Sequence, residues 1–505
     1  MSETQTGSGH GVDENLRKGR IGVLGIVFFV VAAAAPLAGM TGVVPGAIVL
    51  GSGAGVPGVY LITGLTLLLF SVGYAAMSHR VTNAGAFFAY VGRGLGTNAG
   101  VASAFVSMVA YLAVQWCIYG YFGAVMSAEM QSHFNINQPW YVWAFLALAV
   151  ALILSLLGVD VGAKVLGVFM TLELASLIIS GVAMLINGGP EGINFSASFS
   201  PSNIFHGGIT GTAGIAFAFA SASFIGFEAT AIYGEETKDP KRAVPRATYL
   251  AITIITLLFV VVSFGMVTGM GASKAIDQSV ALSTLDKVPL ANPANVLISL
   301  ANQYVGSWLG TLMGWLVLSS LFAANVAFQN SAARYLFAMG RGGVLPKWFD
   351  HVNGRGAPRN AAIFTAVGSF LCITYFAVRH LDPVYNLFYW LSAVAVLAIV
   401  IVEVLVSISV VRYFSKEPGD VNIFTRVIAP ILAVIGLVGM EYLMMSHFSL
   451  LAGTVKDGAD PTTQSWVQNT TGTVLISIPF VALIIGFIVG IAGKENDEAV
   501  KDFVS

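Results

Sequence analysis

Pro36-Leu37-Ala38-Gly39-Met40-Thr41-Gly42 interrupts an apolar run that extends from Ile21 to Leu50, and Ser221-Ala222-Ser223-Phe224-Ile225-Gly226 interrupts a second that extends from Thr210 to Tyr233. The first run reaches the length of a membrane span only when the pieces on both sides of the break count together. In hydrocarbon, a freed backbone N–H or C=O is costly unless something satisfies it. Small residues in a span also serve close helix packing, and one break alone would admit that reading. Two breaks at matching places in the two halves of a chain point to a binding site near the bilayer midplane.

The rest of the chain suits the same solvent. Of its 505 residues, 56% are hydrophobic and 10% charged, against about 25% charged in a typical soluble domain. Mean hydropathy is +0.81. No soluble core of this length hides so much apolar surface, so the lipid bilayer is the expected partner. Apolar runs near spanning length fall at 21–50, 56–79, 97–128, 139–158, 161–187, 210–233, 248–271, 297–337, 359–379, 383–412, 427–448 and 471–493, numbered here as spans 1 to 12. The longest stretches between them, 188–209, 272–296 and 449–470, are too short for an independent domain. The 272–296 stretch reads either as a short helical cap or as a plain loop. Arg17, Lys18 and Arg20 ahead of an apolar run imitate a signal peptide, yet the run resumes past the break and reads as span 1.

Twelve spans place both termini on one side of the membrane. Twenty of the 24 Lys and Arg residues then fall on that side, and only Lys274, Lys287, Arg379 and Lys456 on the other. The positive-inside rule makes the termini cytoplasmic. Cys117 and Cys372 lie inside apolar runs, which excludes a disulfide scaffold. No basic patch for nucleic acid occurs, and no cofactor or metal motif.

A broken helix presents N–H groups at the start of its second half, which attract a carboxylate, and carbonyls at the end of its first, which attract a cation. An α-amino acid carries both groups. Gly39 and Gly42 permit close backbone approach, and Thr41 adds a hydroxyl, so the first break suits the anion. The second offers carbonyls, the Ser221 and Ser223 hydroxyls and the Phe224 ring.

Phe224 to Ala247 reads FIGFEATAIYGEETKDPKRAVPRA, and Asn330 to Pro358 reads NSAARYLFAMGRGGVLPKWFDHVNGRGAP. Both resemble amino acid–polyamine–organocation (APC) superfamily permeases: the first their sixth helix and following loop, the second the end of their eighth helix and its next loop. Gly158 to Leu174 resembles the start of their fifth helix. The resemblance covers residues 20–490. It implies an all-α integral membrane fold of twelve transmembrane helices. Five-plus-five inverted repeats, LeuT-like, would occupy 21–187 and 210–412, with discontinuous helices 1 and 6, and with helices 11 and 12 at 427–493. Residues 1–20 and 494–505 would be cytoplasmic tails. It further implies that Gly39, Met40, Thr41 and Gly42 bind a substrate carboxylate, and that Ala220, Ser221, Ser223 and Phe224 bind its amine. The first break departs from the Gly-Ser-Gly type common in the family, so a polyamine or other amine, which needs no anion site, stays a second substrate class.

Ionisable groups inside spans are functional hypotheses by default. Glu173, in span 5, matches a position where proton-dependent family members often carry Lys. It reads as a proton-coupling site or as a hydrogen-bonded structural carboxyl, since a buried carboxyl can carry a proton at neutral pH. Glu228, just past the second break, reads as a gating or coupling acid, or as a structural one. Glu403 stays open, and Glu441, outside the repeat, reads as structural. Spans 3, 8 and 10 should complete the pocket, with Trp116 and Tyr119, then Asn325 and Gln329 beside Asn330, then Tyr385 and Tyr389. Glu235 and Glu236 with Lys238, Lys241 and Arg242 read as a surface charge network closing the inner side.

No Walker sequence is present, so ATP drive within the chain is not expected. A channel would need a repeated filter or charged rings, and an enzyme a nucleophile or acid–base cluster; neither occurs. The expectation is secondary active transport of an amino acid or related amine across the cell (inner) membrane, proton-coupled, by alternating access. A polyamine or amine permease or exchanger, or a non-transporting sensor on the same fold, is the alternative.

Overall fold

The computed structural model of the chain describes residues 22–81, 87–157, 163–228, 230, 237, 239–285 and 287–492; both expected tails lie outside the described residues. Among the described residues every regular element is a helix, with three isolated bridges besides. Eleven helices among the described residues are long and apolar enough to cross a membrane, and they account for every expected span except the sixth. That one begins as Ala213–Phe224, a helix of 12 residues, and of its continuation to 233, residues 229 and 231–233 lie outside the described residues.

Burial sorts the helices into an inner and an outer set. Over an apolar 18-residue stretch of each, Val23–Gly42, Thr97–Phe134, Lys241–Met270 and Pro383–Lys416 are 67 to 72% buried within the protein, whereas Trp140–Leu157, Gly167–Asn187 and Thr470–Ala492 are only 28 to 33% buried. The outer set turns large apolar side chains outward, among them Leu146, Ile153, Ile179, Ile484 and Ile488. In lipid such faces are at home, so the inner set is free to carry the polar groups.

Several hydroxyls in the spans are satisfied within their own helix. Ser71, Ser107, Ser180, Thr256 and Ser263 each donate to the carbonyl four residues back, at 2.6 to 2.9 Å. Span 12 packs on span 3 through small residues: a Cβ added to Gly486 would lie 2.8 Å from Ala102 Cα. The helix Thr97–Phe134 has 38 residues. At about 1.5 Å per residue it is roughly 57 Å long, well beyond a hydrocarbon core of ~30 Å.

The 272–296 stretch takes the helical of its two readings. It contains Ala275–Ser283 and leads into Ala294–Tyr304. Ile276 of the first lies 3.2 Å from where a Gly53 Cβ would stand, so this helix packs beside the end of span 1. Of the expected cytoplasmic charge network, Glu235, Glu236 and Lys238 lie outside the described residues; Arg242 pairs with Asp239 at 3.9 Å.

Candidate site between the broken helices

The first break falls at Ala35, one residue ahead of the expected interruption. Val23–Ala34 ends there, Ala35 takes left-handed angles (φ 43°, ψ 65°), and Pro36–Gly42 is helical again. Two neighbours explain the position. Pro36 has no N–H to continue the first helix, and its ring disfavours helical angles in the residue before it. Ala35 N–H donates back to the carbonyls of Val31 and Ala32 at 3.1 and 3.3 Å, capping the first half. A non-glycine residue in this region costs ~1–2 kcal/mol, which the surrounding structure must absorb. The second half runs on through Val43 and Ala47, each N–H bonded four residues back. Gly39, Met40, Thr41 and Gly42 therefore sit inside this helix, and the ladder is open at Ala35 instead.

The second break is the turn Ile225–Glu228 that follows Ala213–Phe224. Gly226 has φ 114°, a conformation that side chains rarely adopt. Its N–H donates to Glu228 Oε2 at 2.8 Å, so the acid folds back and satisfies a group that the turn sets free. The Glu228 carbonyl accepts from Tyr74 Oη of span 2 at 2.7 Å. Glu228 is fully buried, and Tyr111 of span 3 neighbours its carboxyl.

The two breaks touch. A Cβ built on Gly226 would lie 2.8 Å from Ala33 Cβ and 3.3 Å from Ala34 N. One turn along, Gly39 faces Ser223, whose Oγ stands 3.6 Å from a Gly39 Cβ. Beside this contact lies a cavity of about 50 Å³. Spans 1 and 6 line it with Ala33, Ala34, Ala35, Ala38, Gly39, Val43, Ala222, Ser223 and Ile225; spans 3, 8 and 10 complete it, with Cys117, Ile118, Tyr121, Leu321, Phe328 and Phe388 among their residues. Tyr121 stacks on Phe388, ring centroids 4.8 Å apart, and its hydroxyl donates to Thr41 Oγ1 at 3.3 Å. A Gly42 Cβ would meet Tyr121 at 2.7 Å, so Gly42 makes room for that stack.

Gly39 and Ser223 are the expected binding residues that line the cavity. Ser223 Oγ shares a 2.9 Å hydrogen bond with Tyr60 Oη of span 2 and donates to Phe219 O. Met40 is fully buried, and Thr41 donates to the Leu37 carbonyl at 2.8 Å. Ala220 and Ser221 are buried outside the lining, and Phe224 packs on Phe259 of span 7, at 5.7 Å, and on Tyr60. Trp116 is turned away: its Nε1 donates to Ser369 Oγ of span 9 at 3.1 Å, while its neighbour Cys117 faces the cavity.

The amides of span 8 divide. Gln329 accepts from Gln115 at 2.5 Å and donates to Ala362 O and Thr365 Oγ1, tying spans 3, 8 and 9. Asn330 accepts from Ser155 of span 4 at 2.9 Å. Asn325 is fully buried, and among the described residues neither amide atom has a protein partner. It lies four residues after Leu321 and three before Phe328 in the same helix, but is not itself in the lining. An unmet buried polar group costs ~1–3 kcal/mol.

Glu173 is buried, 4% exposed, and accepts from Ser319 Oγ at 3.0 Å, which joins spans 5 and 8 away from the cavity. Tyr119 and Tyr389 are fully or almost fully buried outside the lining, and Tyr385 donates to the Pro289 carbonyl. Glu403 and Glu441 stand in spans 10 and 11, also outside the lining; Glu403 is 3% exposed, and both Glu441 carboxyl oxygens are buried without a protein partner among the described residues. Sequence reasoning missed Ala33, Ala34 and Ala35, although the residue before a proline was the available signal. It also missed Tyr121 and Phe388, which no motif marks. Among the described residues no cluster of His, Cys, Asp and Glu could hold a metal ion.

Comparison with known proteins places these features in context. A family model described as "Amino acid permease" matches residues 25–501. The histidine permease of Saccharomyces cerevisiae is 26% identical over 61% of this chain and 51% of its own length. The arginine/ornithine antiporter ArcD1 of Lactococcus lactis is 24% identical over 46% of this chain and 41% of its own. The aromatic amino acid transport protein AroP of Escherichia coli is 23% identical over 74% of this chain and 77% of its own. The chain thus spans about half the length of the first curated relatives it matches.

Proposed function

The chain belongs to the amino acid permease family, and on that premise we propose that it carries an amino acid across the cell membrane by alternating access, clasped between the breaks of spans 1 and 6. The observation that carries this reading is the contact of Gly226 with Ala33 and Ala34 beside a cavity lined by five spans. The substrate carboxylate meets the positive end of the second half-helix at its first turn, Pro36 to Ala38, ahead of the Gly39 N–H, which is bonded to the Ala35 carbonyl at 2.9 Å. Its amine meets the carbonyl end of Ala213–Phe224, around Ala222 and Ser223. Asn325 supplies a further polar contact. Met40, Thr41, Gly42, Ala220, Ser221 and Phe224 support these contacts from behind.

Glu173 and Glu228 are the proposed proton sites. Each is a buried carboxyl tied to a moving part: Glu173 to span 8 through Ser319, Glu228 to the second break through Gly226. Spans 1 to 5 and 6 to 10 form the two inverted repeats, and both termini face the cytoplasm. Counterflow of labelled amino acids into proteoliposomes tests the reading. Exchange that disappears when Gly39 or Ser223 is replaced supports it. Specific binding without any flux would make the protein a sensor instead.

A further inference from the structure

Span 2 leaves one stripe of its surface uncovered. From Thr63 to His79 the residues that are not buried are Leu65, Leu68, Leu69, Val72, Ala76 and His79, spaced as one face of a helix. Spans 7 and 11 flank that stripe. Gly64 lies against Thr256 of span 7, and a Cβ on Gly436 of span 11 would meet Thr66 at 2.7 Å. Leu65 stands between these two contacts and is 51% exposed. Leu257 and Ile435, next to the contact residues of the flanking spans, are 60 and 64% exposed. The stripe is therefore the apolar floor of a groove that opens to hydrocarbon.

Where span 2 ends, the groove runs into a second cavity, of about 450 Å³, within the range of about 300–1,000 Å³ usual for small-molecule sites. Val72 and Ala76 belong to both. The polar groups of the cavity are His79 and Arg80 of span 2, Tyr249 of span 7, and Asp420, Asn422 and Thr425 at the approach to span 11. Arg80 reaches over the turn before span 11, with its Nη2 2.7 Å from where a Gly419 Cβ would stand. Asp420 is the acid among the described lining residues. Arg246 and Arg426 follow the lining residues Pro245 and Thr425 in sequence. Glu417, outside the lining, accepts from the Tyr413 hydroxyl at 2.9 Å. An apolar groove along the bilayer thus ends in a polar mouth that carries a guanidinium, an imidazole, an amide and two hydroxyls.

We propose that this groove holds one anionic phospholipid, from the cytoplasmic leaflet in the topology given above. Its phosphate meets Arg80 and the polar groups of the cavity, and an acyl chain lies along Val72, Leu69 and Leu65. Arginine matches the geometry of a phosphate with paired hydrogen bonds. The apolar floor alone would not choose among lipids, so Arg80 makes the choice. A zwitterionic head group brings its own cation to the phosphate and gains less from the guanidinium. The lipid also rests on the helix that braces the second break from its buried faces, through Tyr60 on Ser223 and Tyr74 on the Glu228 carbonyl. The proposal goes beyond the transport reading and does not depend on which substrate is carried.

Native mass spectrometry provides the test, on full-length protein incubated in detergent with equal amounts of dioleoyl-phosphatidylglycerol and dioleoyl-phosphatidylcholine. The two lipids share their chains and differ in head-group charge. One phosphatidylglycerol should be retained about fivefold or more over phosphatidylcholine, the ratio that one basic residue supplies near an anionic surface. Arg80→Gln should bring the ratio close to parity, and Asp420→Asn should raise it severalfold. Equal retention of the two lipids by the parent protein overturns the proposal, as does a preference that neither variant changes. Should Arg80→Gln not fold, Asp420→Asn, on an exposed turn, carries the test by itself. Excess inorganic phosphate should leave the lipid bound. Displacement by phosphate alone would make this a site for a free anion and overturn its assignment to a lipid.

Discussion

Gly226 lies so close to Ala33 that a Cβ added to the glycine would stand 2.8 Å from the alanine Cβ. The residues belong to different halves of the chain, 193 positions apart in the sequence. Each sits where its span stops being a regular helix or one turn from it. The backbone at 226 also has φ 114°. Two independent constraints, conformation and proximity, thus require the absence of a side chain there.

Gly226→Ala should therefore lose stability and function together. The left-handed backbone alone costs about 1–2 kcal/mol with a Cβ present, and the clash with Ala33 adds to it. The expected result is a lowered thermal midpoint in detergent and loss of exchange in proteoliposomes. A variant with the parent's midpoint and rate would show that the breaks are not in contact.

Ser223 links the cavity to span 2 through its 2.9 Å bond with Tyr60. Tyr60→Phe should cost about 0.5–1.5 kcal/mol of stability, the usual net worth of one such bond, and Ser223→Ala should in addition weaken substrate binding. A double-mutant cycle on thermal stability checks the pairing, with a coupling of 0.5 kcal/mol or more expected of residues in contact, on the order of that between known partners. Additive effects would separate the two residues.

Much of this arrangement was legible in the sequence, and the reasons differ by feature. Apolar runs of spanning length are set by the bilayer, so they are local signals. The existence of two breaks was equally local. Their register was less so. Glycines at 39 and 42 marked the expected gap, whereas the chain breaks at Ala35, because Pro36 acts on the residue before it. Which face of a span meets the cavity depends on helix rotation, set by packing from other parts of the chain. For that reason Phe224 packs on Phe259, and Trp116 on Ser369, although their neighbours Ser223 and Cys117 line the site.

Glu173 accepts a hydrogen bond from Ser319, and its proposed role is to carry the coupled proton. Glu173→Gln keeps an acceptor for that hydroxyl and removes the titrating group. Uptake driven by an imposed pH gradient should fall to the level of the undriven reaction, while substrate exchange persists. Gradient-driven uptake at the parental rate would exclude this carboxyl from coupling.

Glu228 holds the Gly226 N–H, and a glutamine can do the same through its carbonyl oxygen. Glu228→Gln should consequently keep the thermal midpoint within a few degrees while changing the pH dependence of transport. Glu228→Ala frees a buried N–H and should lose ~1–3 kcal/mol. Equal destabilisation by both variants would show that the charge, and not the bond to the turn, supports the break.

Where the substrate sits decides whether the two breaks form the binding site. The most direct measurement is an experimental structure of the full-length protein in lipid nanodiscs with a saturating amino acid that it exchanges. The ligand is predicted to lie against the backbone at Ala35 to Gly39 on one side and at Ala222 and Ser223 on the other, with Gly226 still packed on Ala33. A continuous helix through Ala35 or through Ile225 to Glu228, or the ligand bound elsewhere with the two breaks apart, would contradict it.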